Sequence, residues 1–136
     1  MRILFIVLSF IILSGLTSPP VLVATQVEKE FGGIGAQVVP TATGEIVVLQ
    51  IVSGAPAEKN GLLPGDLIVK IDNILLRGLD FKTVTREYLW GFVGEPVHVN
   101  WLRPGDTVER EADLVRVKID QNALRHPDVK MIEPKQ

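Results

Sequence analysis

The strongest constraint on the fold is the spacing of two glycine-rich segments. Residues 31–36 read FGGIGA, and residues 53–66 read SGAPAEKNGLLPGD. Glycine permits positive φ and a close approach of the backbone to a ligand, whereas proline fixes φ and removes an amide donor. The first segment therefore predicts a tight bend. The second predicts a short helix at 57–60, introduced by Pro56 and ended by Gly61, followed by a turn.

The rest of the chain adds strands and one longer helix. Alternating and β-branched residues predict strands at 37–40, 45–52, 67–71, 74–76, 96–102 and 108–119, with a hairpin turn at 104–106. Asp80 is placed to cap a helix from Phe81 to about Trp90. The predicted fold is mostly β with two helices, a small partly open barrel or sandwich of five to six strands.

Composition excludes several classes of protein. The chain has 136 residues, a formal net charge of −2 and no cysteine, which indicates one domain with appendages. A chain without a basic excess has no electrostatic basis for binding nucleic acid, so we expect no nucleic-acid partner. The absence of cysteine excludes disulfides and thiolate sites. We expect no metal and no cofactor, because the two histidines, His98 and His126, stand outside any cluster of ligands.

The N-terminus has the pattern of a secretory signal. Arg2 precedes the apolar run Ile3 to Leu13, and small and turn-forming residues follow. We predict a signal peptide over 1–24, cleaved after Ala24; the alternative is an uncleaved anchor over 3–24, the only case in which a membrane is a partner. Both place the remainder outside the cytoplasm. The predicted domains are therefore 1–24, a lead-in at 25–31, the folded domain at 32–119 and a polar tail at 120–136.

Residues 31–72 resemble a known family. The bend, the APA…GLLPGD segment at 55–66 and the strand after it are similar to a PDZ domain of the kind found in bacterial tail-specific (C-terminal processing) proteases. The resemblance covers about Phe31 to Ile119. It implies a module that binds C-terminal or extended segments of other polypeptides. Together with the predicted export, we expect an adaptor or scaffold outside the cytoplasm.

The predicted site has three parts. Successive N–H groups of the bend would form a nest for the ligand's terminal carboxylate, and we assign this site to Gly33, Ile34, Gly35 and Ala36. The following strand would pair with the ligand through Gln37, Val38 and Val39. By resemblance to the family, the opposite wall is Val84, Thr85 and Tyr88. Ile34 would line a pocket, and the apolar lining indicates a partner whose C-terminus is an apolar residue.

Catalysis is not expected. Ser53 is the only serine after the predicted cleavage site, and no nucleophile–base pattern surrounds it. The alternatives are a truncated relative of a tail-specific protease with residual peptidase activity, or a structural subunit of an envelope complex. Trp90 and Phe92 are predicted to cap the barrel, the alternative being an exposed apolar patch beside the groove.

Overall fold

The computed structural model describes residues 20–23 and 26–120. The predicted signal segment, apart from 20–23, and the tail after Asp120 lie outside the described residues. Within the described part of the chain, no helix has the length and apolar character needed to cross a membrane.

Within these residues the chain forms eight strands and two helices, the second of which continues into a π-helical turn. The strands are β1 Phe31–Gly32, β2 Ala36–Pro40, β3 Ile46–Ile51, β4 Leu67–Ile71, β5 Ile74–Leu75, β6 Gly91–Phe92, β7 Pro96–Leu102 and β8 Arg110–Val115. The helices are α1 Pro56–Lys59 and α2 Phe81–Thr83, and the π-helical turn is Val84–Leu89. We refer to α2 and the π-helical turn together as helix 81–89.

The strands form one large open sheet and one small one. The large sheet has the order β2-β3-β4-β7-β8, with β5 paired to β4, and all its pairs are antiparallel. Strands β1 and β6 form a separate two-stranded sheet. The predicted fold class is confirmed, and the sheet stays open rather than closing into a barrel. Among residues 20–23 and 26–120, β2 is therefore an edge strand with one unpaired side.

Local sequence explains the turns that were predicted. Helix α1 begins at Pro56 and is followed by Gly61, whose φ of +85° allows its N–H to reach the Glu58 carbonyl at 3.0 Å. The turn between β4 and β5 is tight because Asp72 and Asn73 take φ values of 49° and 64°. Both residue types tolerate this region better than most others.

Helix 81–89 differs from the predicted regular helix. Asp80 caps it as predicted, accepting from the Thr83 N–H at 3.0 Å. Beyond Thr83 the helix widens, and the Trp90 N–H donates to the Thr85 carbonyl five residues earlier, at 2.9 Å. The wider turn buries Val84, Thr85 and Leu89.

The core lies between the large sheet and the two helices. In β7 the predicted alternation holds for Val97, Val99 and Trp101, which are all buried. The core members are Ile34, Ile46, Val48, Ala57, Leu62, Ile68, Ile71, Leu76, Val84, Leu89, Val97, Val99, Trp101 and Leu114. This cluster holds β2 and helix 81–89 on either side of one groove.

The polar face of β7 carries an ion-pair cluster. His98 Nδ1 lies 2.7 Å from an Asp113 carboxylate oxygen, and Nε2 lies 3.5 Å from Glu111. The hydrogen bond to Asp113 raises the pKa of His98, with burial opposing and Glu111 adding to the increase. His98 is therefore a partnered residue of the sheet surface.

A second ion pair ties the turn after α1 to the end of β7. Arg103 donates to both carboxylate oxygens of Asp66 at 2.9 Å and to the Gly61 carbonyl at 2.8 Å. Asp66, which is only 1 % exposed, also accepts from the Leu63 N–H at 2.8 Å. The bond to Leu63 closes the turn locally, as aspartate side chains commonly do in turns. Its partner Arg103 is 37 residues away in sequence.

Candidate functional site

A groove of about 670 Å³ runs between β2 and helix 81–89. Its lining comprises the bend, the start of β2 and both ends of the helix: Phe31, Gly32, Gly33, Ile34, Gly35, Ala36, Gln37, Val38, Val52, Phe81, Thr85, Leu89, Trp90 and Ile119. None of these residues is charged. A negatively charged ligand group in the groove would therefore depend on backbone dipoles.

The bend presents unused amide donors to this groove. Gly35 takes φ of +79°, and its carbonyl accepts from the Val52 N–H at 2.8 Å. The Ile34 carbonyl accepts from the Ala57 N–H at 2.9 Å. The N–H groups of Ile34 and Gly35, in contrast, make no hydrogen bond with another described residue. Amides in such a bend converge on one point and suit an anion.

Ala36 continues the same row of donors into the sheet edge. It stands opposite Ile51 in β3, directly after the hydrogen bond between Gly35 and Val52. Because hydrogen-bonded and non-hydrogen-bonded pairs alternate along antiparallel strands, the Ala36 N–H is directed away from β3. The open side of β2 is therefore a template for one more strand.

The structure brings together most of the predicted site residues. Seven of them line the groove: Gly33, Ile34, Gly35, Ala36, Gln37, Val38 and Thr85. Ile34 lines the groove as predicted, and its side chain, which is 1 % exposed, also belongs to the core.

Three predicted residues are not part of the lining. Val39 points to the opposite side of β2 from Val38 and is 37 % exposed. Val84 is fully buried in the core, and Tyr88 packs against that core. Of the predicted helix residues, only Thr85 therefore meets the groove, where Leu89 lies beside it.

Gly33 has a different role from the one predicted. Its N–H donates to the Val117 carbonyl and its carbonyl accepts from the Val117 N–H, both at 3.0 Å. The Gly33 amide is thus already paired and is not a donor for a carboxylate. Its contribution to the site is the space left by a missing side chain.

Sequence reasoning missed Phe81 at one end of the groove and favoured a barrel cap for Trp90 at the other. Phe81 lines it at the start of the helix, and Trp90, 48 % exposed, lines it just beyond the helix end. Phe31 and Ile119 contribute from the lead-in and from the segment after β8. The sequence signal that could have identified them is the position of Phe81 and Trp90 at the two ends of the predicted helix. Trp90 lies beside the groove, which is the alternative to a barrel cap.

Arg116 holds the end of helix 81–89 in place. Its buried guanidinium donates to the carbonyls of Tyr88 at 2.7 Å, Leu89 at 3.0 Å and Pro96 at 3.1 Å. These carbonyls include acceptors that a helix end leaves without partners, and a cation there also interacts favourably with the helix dipole. Arg116 therefore fixes the wall of the groove next to Trp90.

Comparisons with known proteins agree with this geometry. The model of one family, described as PDZ domain, matches residues 32–114. The carboxy-terminal processing protease CtpA of Bacillus subtilis is 39 % identical over 54 residues, which are 40 % of this chain and 11 % of CtpA. This chain therefore spans only about a tenth of that relative.

Two solved structures share the fold. The photosystem II D1 C-terminal processing protease matches 66 % of this chain and 24 % of its own chain, with a TM-score of 0.60 and 31 % identity. The PDZ domain of the carboxy-terminal protease from Vibrio cholerae, solved in complex with a peptide, matches 66 % of this chain and 97 % of its own chain, with a TM-score of 0.58 and 25 % identity. Because the family model covers more than half of the chain, the protein belongs to the PDZ domain family.

Proposed function

We propose that this domain binds the C-terminal segments of other proteins in the groove between β2 and helix 81–89, as an adaptor or scaffold. The observation that carries the proposal is that the N–H groups of Ile34 and Gly35 make no hydrogen bond with another described residue. These two residues directly precede β2, whose outer edge is unpaired among the described residues. The PDZ domain of the Vibrio cholerae protease, which shares the fold, was solved with a peptide bound.

The proposed ligand extends the sheet by one strand. Its backbone pairs with the open side of β2, from Ala36 toward Val38, and its side chains alternate between the groove and solvent. The pairing of β2 with β3 shifts register between Gln37 and Val38, where Leu49 is an extra residue on β3. The main-chain hydrogen bonds supply affinity, and the apolar groove favours a ligand whose last residue is apolar.

The ligand's free carboxylate is received by the bend. Hydrogen bonds to a charged acceptor contribute about 1.5–3 kcal/mol each, more than neutral ones. Since the lining contains no lysine or arginine, the N–H groups of Ile34, Gly35 and Ala36 would carry this recognition. The site would therefore distinguish a chain end from an internal segment.

Amidation of the ligand is expected to weaken binding by roughly tenfold or more. The amide group has no charge and accepts weaker hydrogen bonds, and about 1.4 kcal/mol corresponds to a factor of ten. Calorimetric titration of residues 25–136 with one peptide as free acid and as amide measures the ratio. Peptide recovered afterwards should be intact by mass spectrometry, since the proposal includes no hydrolysis. Equal affinities would refute carboxylate recognition.

We further propose that the domain acts outside the cytoplasm. The support is the sequence pattern of Arg2 and the apolar run Ile3 to Leu13. N-terminal sequencing of the protein from the producing cell should find a chain that begins near Thr25, or, for an anchored form, the intact N-terminus in the membrane fraction. A soluble cytoplasmic protein that retains residues 1–24 would contradict export.

A further inference from the structure

We propose that the hydroxyl group of Thr85 stabilises the π-helical turn and thereby positions Leu89 and Trp90 along the groove. The inference rests on the proposed function and assigns Thr85 the role of a positioning residue. Its side chain acts through the shape of helix 81–89 rather than by recognising a particular residue of the ligand.

The spacing of the backbone hydrogen bonds changes within helix 81–89. At its start the Val84 N–H donates to the Asp80 carbonyl four residues earlier, at 3.0 Å, as in an α-helix. At its end the Trp90 N–H donates to the Thr85 carbonyl five residues earlier, at 2.9 Å. Where the spacing changes from four to five, one carbonyl loses its backbone donor. A buried carbonyl in that position needs another donor.

The side chain of Thr85 supplies a donor at this change of spacing. Its Oγ1 lies 2.9 Å from the Phe81 carbonyl oxygen and 3.2 Å from that of Lys82, and its hydrogen is donated to this pair. Both carbonyls lie between the two backbone acceptors named above. A threonine hydroxyl that bonds a carbonyl of the preceding turn often bends a helix. The hydroxyl is therefore placed to stabilise the wider turn.

Thr85 connects both ends of the groove wall. It is 5 % exposed and lines the groove. Its hydroxyl reaches Phe81 and its carbonyl receives Trp90, and these two aromatic residues line the groove at the two ends of the helix. Without the hydroxyl, a carbonyl inside the domain would lack a donor, which is unfavourable. The turn would then relax toward α-helical spacing and rotate Leu89 and Trp90 about the helix axis.

The position of Trp90 can be measured without a ligand. A Cβ atom placed on Gly33 would lie 3.6 Å from Cδ1 of Trp90. A nuclear Overhauser contact between the Gly33 Hα and the indole Hδ1 is therefore expected in residues 25–136. Thr85→Val keeps the branched shape without the hydroxyl, and Thr85→Ser differs from Thr85→Ala by one oxygen atom. The valine and alanine variants should lose the contact, and the serine variant should keep it.

Peptide binding is the second measurement. A short peptide that ends in leucine is titrated by calorimetry, as its free acid and as its C-terminal amide, into the wild type and each variant. The valine and alanine variants should bind the acid roughly fivefold more weakly, the factor that corresponds to about one hydrogen bond. The serine variant should bind like the wild type. Thermal unfolding verifies that each variant is folded, and the alanine–serine pair decides if the valine variant is not.

Thr83→Val is the matched control on the same helix. The Thr83 hydroxyl donates to the Asp80 carboxylate at the start of the helix, and Thr83 is not part of the groove lining. Its loss weakens the cap and lowers the thermal midpoint. The contact between Gly33 and Trp90 and the affinity for the peptide should both stay as in the wild type.

The inference would be overturned if the folded valine or alanine variant kept the contact between Gly33 and Trp90, or if the serine variant or Thr83→Val lost it as well. Loss of the contact with unchanged affinity would also overturn it. If the wild-type domain binds the acid and the amide equally, or neither, the proposed function fails instead. The contact between Gly33 and Trp90 then still decides the role of Thr85.

Discussion

Gly35→Ala is expected to lower the free energy of unfolding by roughly 2–5 kcal/mol, which is a large part of the stability of a small domain. Gly35 has φ of +79°, where a residue with a Cβ costs about 1–2 kcal/mol. The added Cβ would also lie 2.1 Å from the Cβ of Ala55, so the bend or Ala55 must move. Overpacking of this kind typically costs a further ~1–3 kcal/mol.

Gly54 offers a matched control for this prediction. Its φ of +76° is nearly the same, but a Cβ at Gly54 would meet nothing within 4 Å. Gly54→Ala should therefore show only the backbone cost of about 1–2 kcal/mol. Urea unfolding of both variants gives the comparison. Equal losses of unfolding free energy would contradict the prediction, because they would mean that the Cβ added at Gly35 fits beside Ala55 without further cost. Because the added Cβ would point at Ala55, a Gly35 variant that no longer binds peptide would indicate that the bend has been displaced.

Asp66→Ala is expected to destabilise the domain by about 2–4 kcal/mol. Asp66 is 1 % exposed and accepts from Arg103 and from the Leu63 N–H. Removing the carboxylate leaves these donors without their acceptor in a partly buried place, which costs more than the loss of an exposed pair. This loss of stability lies toward the lower end of the range for breaking a buried ion pair, because the Arg103 side chain is 26 % exposed and keeps contact with water.

The chain contains its own control for Asp66. The tripeptide Pro-Gly-Asp occurs at 64–66 and again at 104–106. Asp106 pairs with Arg110 at 2.8 Å on the surface, and that hydrogen bond lowers the pKa of Asp106. Asp106→Ala should change the urea midpoint far less than Asp66→Ala, because exposed ion pairs contribute little. Similar effects of the two variants would show that turn formation, rather than the ion pair, explains the role of Asp66.

The features that the sequence predicted correctly depend on neighbouring residues. Pro56 and Gly61 bound α1, Asp80 caps the second helix, and Val97, Val99 and Trp101 of β7 face the core. Each of these results from backbone preferences or from a side chain that bonds within a few residues. The spacing of the bend and the segment at 55–66 was specific enough to indicate the family for the same reason.

The composition of the groove wall was decided by tertiary structure. Of the three wall residues that the resemblance implied, Thr85 lines the groove, whereas Val84 and Tyr88 pack against the core and Leu89 joins the lining. A single residue added to a helical turn shifts every later side chain around the axis. The position of the helix end depends on packing against the core and on Arg116, which lies 27 residues beyond Leu89 in sequence and donates to its carbonyl.

The sequence alone determined the family, the bend and the edge strand on which peptide binding is proposed, because glycine, proline and β-branched residues restrict the backbone locally. Only the tertiary structure decided what those elements present to a ligand. Gly33 is paired to Val117 and the Ile34 and Gly35 amides remain unused. Trp90 and Ile119, from separate parts of the chain, meet above Gly33. Contacts between residues far apart in sequence depend on packing of the whole core, which no local pattern encodes.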